Sequence, residues 1–213
     1  MITRSSSILV TGAGGFIGAN LVRRLLAGGY RVHVIWKKST NPWRLADILP
    51  RLTLYEAELS DRDGLTKLIK RIQPTAIFHL AAHGAYSSQT DIDAMVNVNI
   101  EGLLNLLLAS KAIPYQAFIA TGSSSEYGFK DKPMKEIDSL EPISFYAATK
   151  AAATFLCQVF AKEYNKPIVT IRPFSVYGPY EEPTRFIPTI MKALIDQQPV
   201  KLTPGVERRD FVY

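Results

Sequence analysis

The sequence predicts an α/β fold, a doubly wound parallel sheet with helices on both faces. Three observations predict it. Short β-rich apolar runs alternate with longer segments of helical periodicity along the chain. The first run ends in a glycine turn, Thr11-Gly12-Ala13-Gly14-Gly15-Phe16-Ile17-Gly18, that leads straight into a helix. No repeat, low-complexity stretch or linker breaks the pattern, so residues 1–213 read as one domain.

Taken in order, residues 6–11 read as a buried strand and 15–28 as a helix, with Ile17, Leu21, Val22, Leu25 and Leu26 on its inner face. Gly28-Gly29 ends that helix. Arg31 to Trp36 alternates and is β-rich, the second strand, and Leu52 to Ala57 is the third. Asp61 to Arg71 is a helix with Leu65, Leu68, Ile69 and Ile72 in register, where Ser60 or Asp61 can act as cap. Ala76 to Ala81 is the fourth strand, and a long helix runs from about Ile92 to Ala112. Gln116 to Thr121 is the fifth strand, Phe145 to Tyr164 a long helix, and Ile168 to Arg172 the sixth strand. A last helix lies within Pro183 to Gln197, with Ile187, Ile190, Met191 and Leu194 on one face.

Composition narrows the function classes. The chain of 213 residues is 47% hydrophobic and 21% charged, enough to bury a sizeable core. The net charge of +6 is scattered, which argues against a nucleic-acid partner and suits a small anionic ligand. The histidines His33, His79 and His83 lack metal-ligand spacing, so no metal site is expected. The lone Cys157 sits in an apolar helical stretch and fits a reducing cytoplasm. The N-terminus leaves no room for a signal peptide before the first strand. No apolar run approaches the roughly 18 residues that span a bilayer, so no membrane partner is expected.

Ligands of such sheets bind at the carboxyl ends of the strands. The glycine turn has the spacing G-x-x-G-x-x-G over Gly12, Gly15 and Gly18, half a match to the usual dinucleotide fingerprint. Unpaired N–H groups and the helix dipole there favour a phosphate. After the second strand, Trp36 stands where an acid would hold the adenosine ribose, and Lys37 and Lys38 follow. A carboxylate would repel a 2′-phosphate and lysines attract it, so the sequence favours NADP over NAD. After the third strand, the carboxylate of Glu58 can accept from an adenine amino group. The small residues Ala81 and Ala82 let a cofactor lie close over the sheet. Ser123, Ser124 and Ser125 follow the fifth strand and can hydrogen-bond a substrate oxygen.

Tyr146 and Lys150 carry the sharpest chemistry. At i and i+4 on a helix they share a face. A lysine cation lowers a phenol's pKa, which lets the tyrosine move a proton to or from a hydroxyl or carbonyl. Hydride transfer to or from an alcohol carbon needs such a partner.

These motifs resemble the extended short-chain dehydrogenase/reductase family, in its nucleotide-sugar epimerase, dehydratase and reductase group. The resemblance rests on Thr11–Gly18, His79–Ala82, Asn99, Ser123–Gly128, Tyr146 with Lys150, Arg172–Pro179 and Arg209–Tyr213. It implies a Rossmann-type sheet and a pyrophosphate held by Gly12, Gly15, Phe16, Ile17 and Gly18. Glu58 and Leu59 would flank the adenine, and Ala81 and Ala82 the nicotinamide ribose, with Asn99 also on the cofactor side. Tyr146 would be the acid/base, Lys150 would hold the ribose, and Ser123 would be the catalytic hydroxyl. Pro173 would set the nicotinamide face, Ser124 and Ser175 would meet the sugar, and Arg209 would take the substrate diphosphate.

The implied activity is an NAD(P)-dependent nucleotide-sugar epimerase or reductase acting on a nucleoside-diphosphate sugar. Two alternatives remain. Dehydratases of the group carry an acid two residues before the tyrosine of the serine loop, whereas here Glu126 stands one place late. A non-catalytic NADP-binding regulatory protein is the other. Ser175 replaces the asparagine common in the group, and the chain stops at Tyr213 inside a family motif, which implies that the substrate lobe is largely missing. Family members commonly pair through two long helices. The apolar residues Leu103, Leu104, Leu106, Leu107 and Leu108, with Phe155, Leu156, Val159 and Phe160, make a homodimer expected.

Overall fold

A computed structural model describes residues 2–205 and 209–213. The strands are β1 (Ser7–Thr11), β2 (Arg31–Trp36), β3 (Thr53–Glu56), β4 (Ala76–His79), β5 (Ala117–Thr121) and β6 (Ile168–Ile171). They form one six-stranded sheet in the order β3-β2-β1-β4-β5-β6. Every pairing in it is parallel. The strand order reverses between β1 and β4, and that switch point opens a crevice at the carboxyl ends. The doubly wound architecture predicted from the sequence is therefore the observed one.

β1 is buried along its whole length, because its residues feed two cores in alternation. Ile8 and Val10 face a core built with Val22 and Leu25 of α1 (Phe16–Ala27). Leu9 faces the opposite core, which holds Leu65 and Ile69 of α2 (Arg62–Ile72) and Leu103, Leu106 and Leu107 of α4 (Gly102–Ser110). Phe118, Cys157 and Phe160 complete that core, the last two from α5 (Phe145–Glu163). Cys157 is buried and its thiol is pushed up to about 11, chiefly by burial. It packs there as a small hydrophobe.

The long helix expected over 92–112 is one rod from Ile92 to Ser110 with a π-helical turn inside it. α3 (Ile92–Val96) passes through the turn Asn97–Glu101 into α4. The widened turn aims Asn99 inward, where it is buried. The rod is long and apolar enough to cross a membrane by length and composition, contrary to the expectation that no such stretch exists. Its apolar residues have another use here: Leu103, Leu106 and Leu107 pack into the core.

The predicted homodimer seam is divided by this packing. Leu103, Leu106, Leu107 and Phe160 are core residues, whereas Phe155 and Val159 stand exposed. Beyond β6, a short pair of strands, β7 (Ser175–Val176) and β8 (Phe211–Val212), forms a separate parallel ladder, with α6 (Phe186–Ile195) between them in sequence.

Candidate functional site

A cavity of about 900 Å³ runs along the carboxyl ends of the strands, from the glycine turn to the serine loop. At one end it is lined by Gly12, Gly15, Phe16, Ile17 and Gly18. The glycines there serve different needs. Gly12 has φ +73°, and a Cβ on it would lie 2.5 Å from the backbone nitrogen of Ala81. A Cβ on Gly18 would lie 2.2 Å from the Gly12 carbonyl oxygen. Both are fixed by close backbone packing. A Cβ on Gly15 would meet nothing nearer than that same oxygen at 3.3 Å. Gly15 instead leaves the mouth of α1 open to the cavity.

α1 also starts differently from its neighbours. Asp61 caps α2 by accepting from the Gly64 N–H at 2.9 Å, as the sequence allowed. Asp91 and Ser144 cap α3 and α5 in the same way, at 3.0 and 3.2 Å. α1 begins on Gly15 with no side-chain cap and no acid in its first turn. Its free N–H groups and dipole therefore face the cavity, a fit for an anionic phosphate group.

The other end holds Ser123, Ser124, Ser125, Tyr146, Lys150 and Pro173. Tyr146 and Lys150 come from one face of α5, and Ser123 from the loop after β5. The Ser123 hydroxyl lies beside the phenol of Tyr146 and favours its ionised form. The phenol's pKa is raised, first by burial, with Glu126 adding to the rise and Ser123 and Arg185 opposing it. This corrects the expectation that Lys150 lowers it. The Lys150 ammonium instead donates to the Thr121 carbonyl, and burial brings its own pKa down to about 8. In this geometry the lysine is a buried cation beside the cavity, and the acidity of the phenol is tuned from Ser123's side.

The other sequence-predicted residues divide between the cavity and its surroundings. Ala82, Ser175 and Arg209 line the cavity. Lys37 and Glu58 are half exposed and 3.9 Å apart, at the ends of β2 and β3. Lys38 is exposed. Leu59 packs against the core cluster under α4. Asn99 is fully engaged: its carbonyl accepts from the His83 N–H at 2.9 Å, and its amide donates to the His83 carbonyl and Thr149 at 2.8 and 2.9 Å. It shapes the loop after β4 and offers the cavity no free atom. The Ala81 backbone closes on Gly12.

Sequence reasoning missed the far wall. Tyr86, Tyr177, Glu181 and Arg185 line the cavity too. Arg185 donates to the Ala85 carbonyl at 2.8 Å and lies over the Tyr86 ring. The segment before it is tied to the opposite side: Asn20 donates to the Pro179 carbonyl and Arg44 to the Tyr180 carbonyl, both at 2.8 Å. Arg44 also pairs with Glu182 at 3.0 Å. Residues 179–185 thus form a strap across the cavity. Buried Arg44 was the available signal, but its partners lie more than a hundred residues away.

The serine loop itself is held by a buried carboxylate. Glu126 is fully buried and faces away from the cavity. It accepts from the Ser123 N–H at 2.7 Å, from the Thr154 hydroxyl at 2.8 Å and from the Arg172 Nε–H at 2.9 Å.

Residues 8–213 match the family described as the NAD dependent epimerase/dehydratase family. Protein CapI of Staphylococcus aureus is 32% identical over 219 residues, which cover 97% of this chain and 65% of that protein. A probable UDP-glucuronate 4-epimerase of Rhizobium meliloti (strain 1021) is 32% identical, over 96% of this chain and 64% of its own length. The chain thus spans just under two thirds of these relatives. Among solved structures, UDP-glucuronic acid 4-epimerase from Bacillus cereus, in complex with UDP-glucuronic acid and NAD, superposes with a TM-score of 0.83 at 32% identity. That match covers 97% of this chain and 69% of the other. A dTDP-glucose 4,6-dehydratase from Bacillus anthracis is similar at 26% identity, with a TM-score of 0.83, over 98% of this chain and 67% of its own.

Proposed function

The chain belongs to the NAD dependent epimerase/dehydratase family, and from that premise we propose that it is the cofactor-binding and catalytic part of a UDP-sugar 4-epimerase, with UDP-glucuronate the first substrate to test. The carrying observation is the single cavity that joins the uncapped α1 to Ser123, Tyr146 and Lys150. In this reading residues 1–213 are a nicotinamide-dinucleotide-binding domain. The bound nicotinamide would take up and return a hydride at a sugar carbon.

The chain's own residues do the rest. Phe16, Ile17 and Gly18 present backbone N–H groups to the pyrophosphate, and Gly12 and Gly15, whose own turn is closed by the Gly15 N–H on the Gly12 carbonyl, leave room for it. Tyr146 exchanges the proton of the sugar hydroxyl, and Ser123 donates to the oxygen when it is a carbonyl. Lys150, a cation below about pH 8, is held on the Thr121 carbonyl and adds positive charge to the cavity wall. Arg209 and Arg185 give the same cavity positive charge for a diphosphate. The enclosure of Glu126 disfavours the dehydratase alternative, because no buried and ion-paired carboxylate can reach a sugar to assist loss of water.

The finer cofactor choice turns on the end of β2. Trp36 supplies no carboxylate for a ribose hydroxyl, and Lys37 and Lys38 support acceptance of a 2′-phosphate. Glu58, 3.9 Å from Lys37, offsets part of that charge, and the solved relatives hold NAD. Fluorescence titration with NADPH and NADH decides: tighter NADPH binding supports the lysine reading, and tighter NADH binding removes it. A homodimer through Phe155 and Val159, and a cytoplasmic location, belong to the same proposal.

The test is incubation of the 213-residue protein with UDP-glucuronate and NAD(P)+, with chromatography of the sugar nucleotides. A C4 epimer formed without net change at 340 nm supports an epimerase. A stoichiometric rise at 340 nm identifies net oxidation of the sugar by NAD(P)+, and a stoichiometric fall when NAD(P)H is supplied instead identifies a reductase. Tight cofactor binding with no product, and the same outcome with UDP-glucose, favours the non-catalytic alternative.

A further inference from the structure

We infer that Glu126 is the positioning residue of the active site, a buried anion that locks the Ser123 loop to the helix carrying Tyr146 and Lys150. The inference rests on the reading of Ser123 and Tyr146 as the reacting pair.

The geometry is that of a junction. Glu126 lies in a short 3₁₀ turn, Ser124–Tyr127, whose first residues line the cavity. One oxygen accepts from the Ser123 N–H, and the Ser123 hydroxyl in turn accepts from the Ser125 N–H at 3.1 Å. The other oxygen accepts from Thr154, one turn along α5 from Lys150, and from Arg172, the residue before Pro173. Three elements that carry cavity residues therefore meet on a single carboxylate. Ser123 and Thr154 are buried, Arg172 is partly so, and each bond involves the full charge of the carboxylate, so none is a loose surface contact.

The surroundings are built around this side chain. A Cβ on Gly122 would lie 2.4 Å from the Glu126 Oε1, so that glycine is required by the carboxylate. Arg172 is held on its other side by the Tyr127 hydroxyl at 2.9 Å. The placement one residue late, which disqualifies Glu126 as an acid reaching the sugar, is what turns it inward to the junction.

Its charge acts as well as its reach. Charged and titratable groups face it from every packed element: Lys150 and Cys157 from α5, Arg172 after β6, Tyr127 and Tyr146. Arg185 faces Tyr146 from the strap, and His79 of β4 is neutral beside Lys150. The negative charge favours the ammonium of Lys150 and disfavours the phenolate of Tyr146. It thus holds the pair in the form Tyr–OH with Lys–NH₃⁺ until a substrate arrives.

The experiment compares Glu126→Gln, Glu126→Asp and Thr154→Val in the full chain. Glu126→Gln removes the charge and sets an amide against Arg172. Its kcat is expected to fall about 10- to 100-fold with KM within about twofold, and the limb of the pH–rate profile that reports Tyr146 is expected to move down by about half a unit or more. Glu126→Asp keeps the charge but not the reach, so kcat falls while the limb stays. Thr154→Val removes one hydrogen bond and lowers kcat about threefold to tenfold, with the limb unmoved. Titration of Tyr146 by ring ¹³C NMR, assigned with Tyr146→Phe, gives the same shift without turnover. If the parent protein makes no product, the epimerase reading fails and the NMR arm still decides this one. An unmoved Tyr146 titration in Glu126→Gln, or parental kcat there, overturns the inference. If Glu126→Gln does not fold, parental kcat in both other variants overturns it.

Discussion

Lys150 is costly to the fold. The residue is 4% exposed, and burial brings its pKa from 10.5 to about 8. Each unit of that difference is about 1.4 kcal/mol, so keeping the lysine charged at pH 7 costs the folded state about 3 kcal/mol. Lys150→Met removes the charge and keeps much of the volume. It also leaves the Thr121 carbonyl without its donor, at about 1 kcal/mol. The net expectation is a gain of about 2 kcal/mol, or a Tm rise of about 4–8 °C for a chain of this size. The pH dependence has a definite sign. Between pH 8 and 10.5 the unfolded chain binds the lysine proton and the folded chain does not, so the parent gains stability as pH rises. The advantage of Lys150→Met therefore shrinks by more than half at pH 9.5. Calorimetry at both values, without added nucleotide, checks this, with turnover lost in the same variant. A Tm unchanged or lowered at pH 7, or a gain that does not shrink at pH 9.5, refutes the reasoning.

Three further outcomes are expected. His79 is buried, shares a 2.8 Å hydrogen bond between its Nδ1 and the Thr11 hydroxyl, and has its pKa lowered to about 3 by burial and by Lys150. Its stabilisation is complete above pH 6.5 and is lost as pH falls toward 3, by about 2 kcal/mol at pH 5. His79→Gln should flatten the fall in Tm between pH 7 and 5. In the glycine turn, Gly12→Ala should cost several kcal/mol and most of the folded yield, whereas Gly15→Ala should keep the Tm within a few degrees and weaken nucleotide binding about tenfold by calorimetric titration. Arg44→Met frees one side of the strap by deleting the bonds to Tyr180 and Glu182, and stopped-flow release of bound NADH should quicken about tenfold.

Much of the site was legible before the fold. Tyr146 and Lys150 declare a shared helix face through i, i+4 spacing, and the strand–helix setting of the glycine turn is what proposes a phosphate site there. Both are local patterns. The wrong details were those that need neighbours. Proximity in sequence suggested that Lys150 acts on the Tyr146 phenol, yet the Thr121 carbonyl takes the ammonium and burial dominates the phenol. Asn99 read as a cofactor residue, but its amide is spent on His83 and Thr149. The strap was not legible because Arg44 meets Tyr180 and Glu182 from more than a hundred residues away in the chain.

By itself the sequence determined the sheet, its strand boundaries to within a few residues, and the turn at Gly12–Gly18, because periodicity and backbone geometry act over a few residues. The tertiary structure alone decided what each polar group is free to do. Glu126 is the clearest case. In the sequence it is an acid one place from a catalytic position, and in the fold Ser123, Thr154 and Arg172 consume its acceptors. Hydrogen-bond satisfaction depends on groups brought together from distant elements, and no local pattern encodes it.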